Sequence, residues 1–91
     1  MDGRPRFPLG RVRMSKKARE SLTYADALNG LRSHAIGEWG LLSDDEWWEN
    51  ELSLRQGYQL MSIHLASNGN RFWIVTEADR SLTTIRLPTE C

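Results

Sequence analysis

Tyr58-Gln59-Leu60-Met61-Ser62-Ile63-His64-Leu65, then Ala66-Ser67-Asn68-Gly69-Asn70, then Arg71-Phe72-Trp73-Ile74-Val75-Thr76-Glu77, is the stretch that decides the fold. Its first part alternates with a period of two. Leu60, Ser62 and His64 face one way; Gln59, Met61, Ile63 and Leu65 face the other. Asn68-Gly69 accepts the positive φ angles that a hairpin connection needs. The second part is aromatic and β-branched, as a buried strand requires. Downstream, Ala78-Asp79-Arg80-Ser81 turns the chain. Leu82 to Leu87 forms a third strand, stopped by Pro88. Arg71–Glu77 is the most apolar of the three and belongs in the interior of the sheet, flanked by the other two. Asp79 and Ser81 suit the turn by accepting backbone N–H bonds, with Arg80 pairing with Glu77 or reaching an acidic helix.

Upstream the period becomes helical. Ser43-Asp44-Asp45-Glu46 is a capping box that starts a helix running to Gln56 and ending at Gly57. Thr23 with Asp26 caps a helix over Tyr24 to Ala35, whose Leu28, Leu31 and Ala35 share one face. Ser15 caps a short helix through Leu22, and Gly10 to Met14 forms a short strand with Arg11 and Arg13 on one side. Residues 1–9 carry Pro5 and Pro8 and read as a flexible basic tail. The expectation is a single α+β domain over residues 10–91. It has a short N-terminal strand, two to three helices, and a three-stranded antiparallel meander packed against the helices.

The chain has 91 residues and no net formal charge, which fits one ordinary globular core. Residues 1–20 hold seven basic against two acidic side chains, a net of +5, and residues 21–91 balance them at −5. Such a charge balance argues against a protein that grips nucleic acid over its whole surface. Weak binding through Arg4, Arg6, Arg11, Arg13, Lys16 and Lys17 of the N-terminal arm is the nucleic-acid alternative. No apolar run is long enough to span a membrane, and no secretory h-region follows the basic start. The single Cys91 provides no internal disulfide. A cytoplasmic protein is expected.

Chemistry-bearing motifs are sparse. His34, His64 and Cys91 lack metal-ligand spacing, so no metal site is expected. No phosphate-cradling glycine loop occurs, and no cofactor is implied. Acid–base cleavage of RNA needs a His or Glu with an Arg nearby. His34, His64, Arg71, Glu77 and Arg80 are the candidates, His34, Glu77 and Arg80 foremost, with Thr83 and Thr84 placed to contact phosphate. The plain alternative puts His34 at a helix end, favourable to the helix dipole. The stretch Glu38 to Glu51 holds six acids and no base, interleaved with Trp39, Trp47 and Trp48. Trp39 between two glycines reads as a plug at the edge of the core. Trp47 aligns with Leu54, whereas the adjacent Trp48 is turned about 100° away. Trp48 is therefore expected to be the more exposed indole, rimmed by Asp44, Asp45, Glu49 and Glu51. That surface suits a protein partner or a homodimer contact.

From Leu9 to Glu90 the chain resembles a family of small proteins of bacterial plasmids and integrative elements known as plasmid-related proteins. The resemblance rests on Gly10-Arg11-Val12, on His34 through Gly37-Glu38-Trp39-Gly40, and on Asn50 and Gly57. It rests further on Trp73-Ile74-Val75-Thr76-Glu77-Ala78-Asp79-Arg80-Ser81 with Thr83-Thr84, and on Leu87-Pro88. The chain departs from the family pattern at Glu38, Gln59, His64 and Cys91. The resemblance implies a mobile-element setting and no particular reaction. Separately, the strand–helix–helix–meander order resembles RelE-like toxin-type ribonucleases, although the acidic body differs from their basic character. The leading expectation is a non-enzymatic protein-interaction module.

Overall fold

A computed structural model describes residues 3–88. Its elements are β1 (Arg11–Met14), α1 (Lys16–Ser21), α2 (Tyr24–Ala35), α3 (Asp44–Gln56), β2 (Leu60–Leu65), β3 (Arg71–Thr76) and β4 (Leu82–Arg86). Both expected capping boxes form. Thr23 and Asp26 exchange side-chain-to-backbone bonds at the start of α2, and Ser43 and Glu46 do so at the start of α3. Gly57, at φ 77°, closes α3 in the left-handed conformation.

The four strands form one mixed sheet in the order β1-β4-β3-β2. β3 lies in the interior between β2 and β4, both antiparallel to it. β1 joins the far side of β4 in parallel, so the short N-terminal strand extends the meander to four strands. All three helices cover one face. Ala18 and Leu22 of the α1 region and Ala27 of α2 pack on Phe72, Ile74 and Ile85. Gly30 sits in the middle of α2 because a Cβ there would come within 2.7 Å of the Phe72 ring.

A second apolar cluster joins Phe7, Trp39 and Leu60, with Trp47 and Leu54 of α3 packed against it. Trp39 is fully buried, so the expected core plug is present. Its segment also covers the free edge of β2. Ile63 donates to the Trp39 carbonyl at 3.2 Å, and Leu41 donates to the Ile63 carbonyl at 2.8 Å. A Cβ on Gly40 would lie 1.9 Å from that Ile63 oxygen, which is why glycine stands there. Further along the same edge, Met61 N–H donates to Asn50 Oδ1 at 3.1 Å. Pairing the edge in this way removes a template for intermolecular strand addition.

The N-terminal stretch differs from the expected tail. Arg6 N–H donates to the Ala35 carbonyl at 2.7 Å, and Phe7 is buried against Trp39 and His34. The Arg80 guanidinium carbon lies 5.7 Å from the Phe7 ring centroid. Prolines exclude regular structure here, but they leave Phe7 free to fill the hole beside Trp39. Burying an aromatic side chain is favourable enough to hold the segment down.

Candidate functional site

The proposed acid–base residues do not meet in an open cleft. His34 sits at the end of α2, facing the sheet, and has no exposed surface. Nδ1 lies 2.6 Å from Ser62 Oγ, and Nε2 lies 2.8 Å from Thr76 Oγ1. The contacts continue from Ser62 Oγ to His64 Nε2 at 2.7 Å and from Thr76 Oγ1 to Thr83 Oγ1 at 2.7 Å. Thr83 then donates to the Leu9 carbonyl at 2.7 Å.

That carbonyl fixes the direction of every proton in the chain. Thr83 spends its one hydrogen on Leu9, so Thr76 donates to Thr83. His34 Nε2–H therefore donates to Thr76, and Ser62 donates to the bare Nδ1 of His34. His64 Nε2–H in turn donates to Ser62. Each hydroxyl and both ring nitrogens of His34 are satisfied with both histidines neutral. Burial above all pushes His34 down to about 3, assisted by the Arg80 charge and by the repulsion that two protonated rings would exert on each other. Burial likewise pushes His64 down to about 4. His34 does stand in the last turn of α2, as the plain alternative expects, but as a neutral ring it gains nothing from the helix dipole.

His64 also lines a polar cavity of about 200 Å³ with Asp26, Asn29 and Ser33. None of the described residues lining it is Lys or Arg, so it offers no counter-charge for a phosphorane-like transition state. Arg80, with φ 62°, is folded into the last turn. Its Nη1 donates to the carbonyls of Tyr58 (2.7 Å), Glu77 (3.0 Å) and Ala78 (3.2 Å). It pairs with backbone oxygens rather than with the Glu77 carboxylate or the acidic helix. Asp79 Oδ1 accepts from Ser81 N–H and Oγ–H, as the turn reading required.

The acidic helix divides its residues between two sides. Trp47 and Leu54 turn inward, whereas Trp48 is 64% exposed, with Leu52 beside it one turn on. Asp44, Asp45 and Glu49 stand exposed near Trp48. Glu51 does not join them. It takes a two-pronged pair of bonds from Arg6 at 2.8 and 3.0 Å, and one from Trp39 Nε1 at 2.9 Å. The Arg6 bond above all holds its carboxyl below the ordinary range. Glu51 thus ties the N-terminal segment and the Trp39 loop to α3, leaving the other three acids to rim Trp48.

The basic arm is dispersed in the same way. Arg6 is committed to Glu51. Arg4 is exposed ahead of it, and Lys16 and Lys17 are exposed at the start of α1. Arg11 and Arg13 lie on β1, their side chains on the face away from the helices. Cys91 lies outside the described residues. No family model, curated protein or solved structure matches this chain.

Proposed function

We propose that this protein is a non-enzymatic interaction module whose α3 binds a basic protein partner in the cytoplasm. The exposure of Trp48 at 64% carries the reading. A large indole left in water on a helix with five acids and one arginine has the aromatic centre and charged rim of an interface. A second copy presenting the same face would set acid against acid, so the charge pattern favours a basic partner over a homodimer. With the resemblance to plasmid-related proteins, we read that partner as a host or element protein.

A synthetic amphipathic peptide of alternating Lys and Leu serves as the probe. Its titration is expected to shift the Trp48 emission to the blue and to weaken with added salt. Trp48→Ala is expected to weaken the complex about tenfold or more, as truncated interface anchors do. Its effect on folding stability is expected to stay within about 0.5 kcal/mol, as for other surface changes. Equal affinity for parent and variant, or a concentration-dependent dimer that Trp48→Ala dissolves, would defeat this reading.

A further inference from the structure

The sheet face turned away from the helices has a composition unlike the rest of the molecule. None of the strands β1, β2, β3 or β4 contains Asp or Glu. Phe72, Ile74 and Ile85 point into the helix-covered core. Strand alternation then puts Arg71, Trp73, Arg86, Arg11 and Arg13 on the opposite face. Arg11, Arg13 and Arg71 are exposed, and Arg86 is half-buried. Among the described residues none of the four arginines is paired with a carboxylate. The acid next in sequence is Glu77, just past the end of β3.

Register arranges these arginines in a line. Arg11 pairs with Leu82 and Arg13 with Thr84, so they follow the course of β4. Arg86 lies two residues beyond Thr84 on β4, opposite Trp73 of β3. Arg71 lies two residues beyond Trp73 in the same direction, because β3 is antiparallel to β4. Arg11, Arg13, Arg86 and Arg71 therefore cross the sheet diagonally. Each is two strand residues beyond the last, a backbone step of about 7–8 Å once the strand spacing is included. The Arg86 guanidinium carbon lies 5.3 Å from the Trp73 ring centroid. Its Nε–H has no acceptor among the described residues.

We infer that this diagonal is a binding track for single-stranded nucleic acid. Four guanidinium groups in a row meet successive phosphates, and the Trp73–Arg86 stack offers a planar surface to a base. The step is about twice the ~3.4 Å axial phosphate repeat of one strand of a duplex, so it suits an extended strand. A second copy laid on this face would oppose arginine to arginine. The track shares only Arg11 and Arg13 with the N-terminal arm, and it does not rest on the docking of a protein at α3.

Fluorescence anisotropy with fluorescein-labelled oligothymidine and oligouridine of roughly twelve nucleotides tests it, against a duplex of equal length. Binding at about 50 mM NaCl is expected for at least one single strand, tighter than for the duplex. The tighter of the two oligomers shows whether DNA or RNA is the ligand. The log–log salt slope is expected near −3, since each phosphate contact contributes about 0.7 on single strands. Arg11→Ala/Arg13→Ala/Arg71→Ala should weaken binding at least tenfold and bring the slope to about −1. Should that variant fail to fold, Arg11→Ala and Arg71→Ala taken singly must each lower the slope. The inference is overturned by any of three results: no single-strand binding at low salt, tighter binding to duplex, or an unchanged slope while Lys16→Ala/Lys17→Ala abolishes binding.

Discussion

Trp39→Ala is expected to remove about 3–5 kcal/mol of folding stability, the usual cost of truncating a buried aromatic side chain. A domain of this length has roughly 5–14 kcal/mol in total, so a large share is lost. The melting temperature should fall by about 15–30 °C. Three separate contacts fail together. Trp39 is fully buried between Phe7 and Leu60, so a cavity opens at the centre of the second cluster. Phe7 loses the ring stacked 6.1 Å away and with it a main reason to stay down. Glu51 loses the indole N–H at 2.9 Å. Trp39→Phe separates these effects. It keeps an aromatic neighbour for Phe7 but removes the hydrogen bond, and should cost about 1–3 kcal/mol. Urea unfolding of the two variants checks the order. A Trp39→Ala protein melting within a few degrees of the parent would show that the N-terminal segment and the loop do not depend on this indole.

Local signals in the sequence were sufficient for the elements. Ser43 with Glu46, Thr23 with Asp26, and Gly57 each act within one helical turn, so their reading needs no tertiary information. The same holds for the alternation that put Leu60, Ser62 and His64 on one face. The partner of β1 was not legible. Four alternating residues fix which side chains share a face but not which strand they join, and β4 lies some seventy residues away. The burial of Phe7 is not legible either, because two flanking prolines describe the backbone and say nothing of a hole waiting beside Trp39.

The buried polar chain does leave a signal in the sequence. Ser62 and His64 follow Leu60 in the inward phase of β2, and Thr76 follows Phe72 and Ile74 in that of β3. A run of polar side chains in an apolar phase implies partners for each of them. His34, Ser62, His64, Thr76 and Thr83 still have no spacing rule, since four separate elements bring them together. The arginine track was divided for a similar reason. Place in the sequence groups Arg11 and Arg13 with the basic N-terminal arm, whereas register groups them with Arg86 and Arg71.

Acidification should weaken the fold well before its carboxylates protonate. His34 and His64 ordinarily titrate near 6.5, but burial holds them at about 3 and about 4 in the folded chain. Above pH 6.5 neither state binds these protons, and stability is at its full value. Between about 6.5 and 4 the unfolded chain takes up both protons and the folded chain takes up neither. Stability therefore falls with decreasing pH, by about 1.4 kcal/mol per pH unit for each histidine. Below about 4 His64 begins to protonate in place, and its share of the slope fades. The chain of bonds explains why the folded state resists. A proton on His34 Nδ1 would confront the Ser62 hydroxyl hydrogen. To accept from it, Ser62 would have to turn that hydrogen toward His64, whose Nε2 already carries a proton and would have to give it up. The other side of the ring offers no relief, because the Leu9 carbonyl accepts and cannot donate and so keeps Nε2–H directed at Thr76. Glu51, Asp26 and Asp79 are also held below their ordinary values, but their contribution is lost only toward lower pH. The interval from pH 6.5 to 5 thus isolates the histidines. Urea unfolding across it should show the two-proton slope, and His64→Gln should halve it. Nitrogen chemical shifts should report His34 protonated at Nε2 and bare at Nδ1 throughout. A stability flat from pH 7 to 5, or a His34 ring titrating near 6.5, would mean that the chain does not hold its histidines neutral.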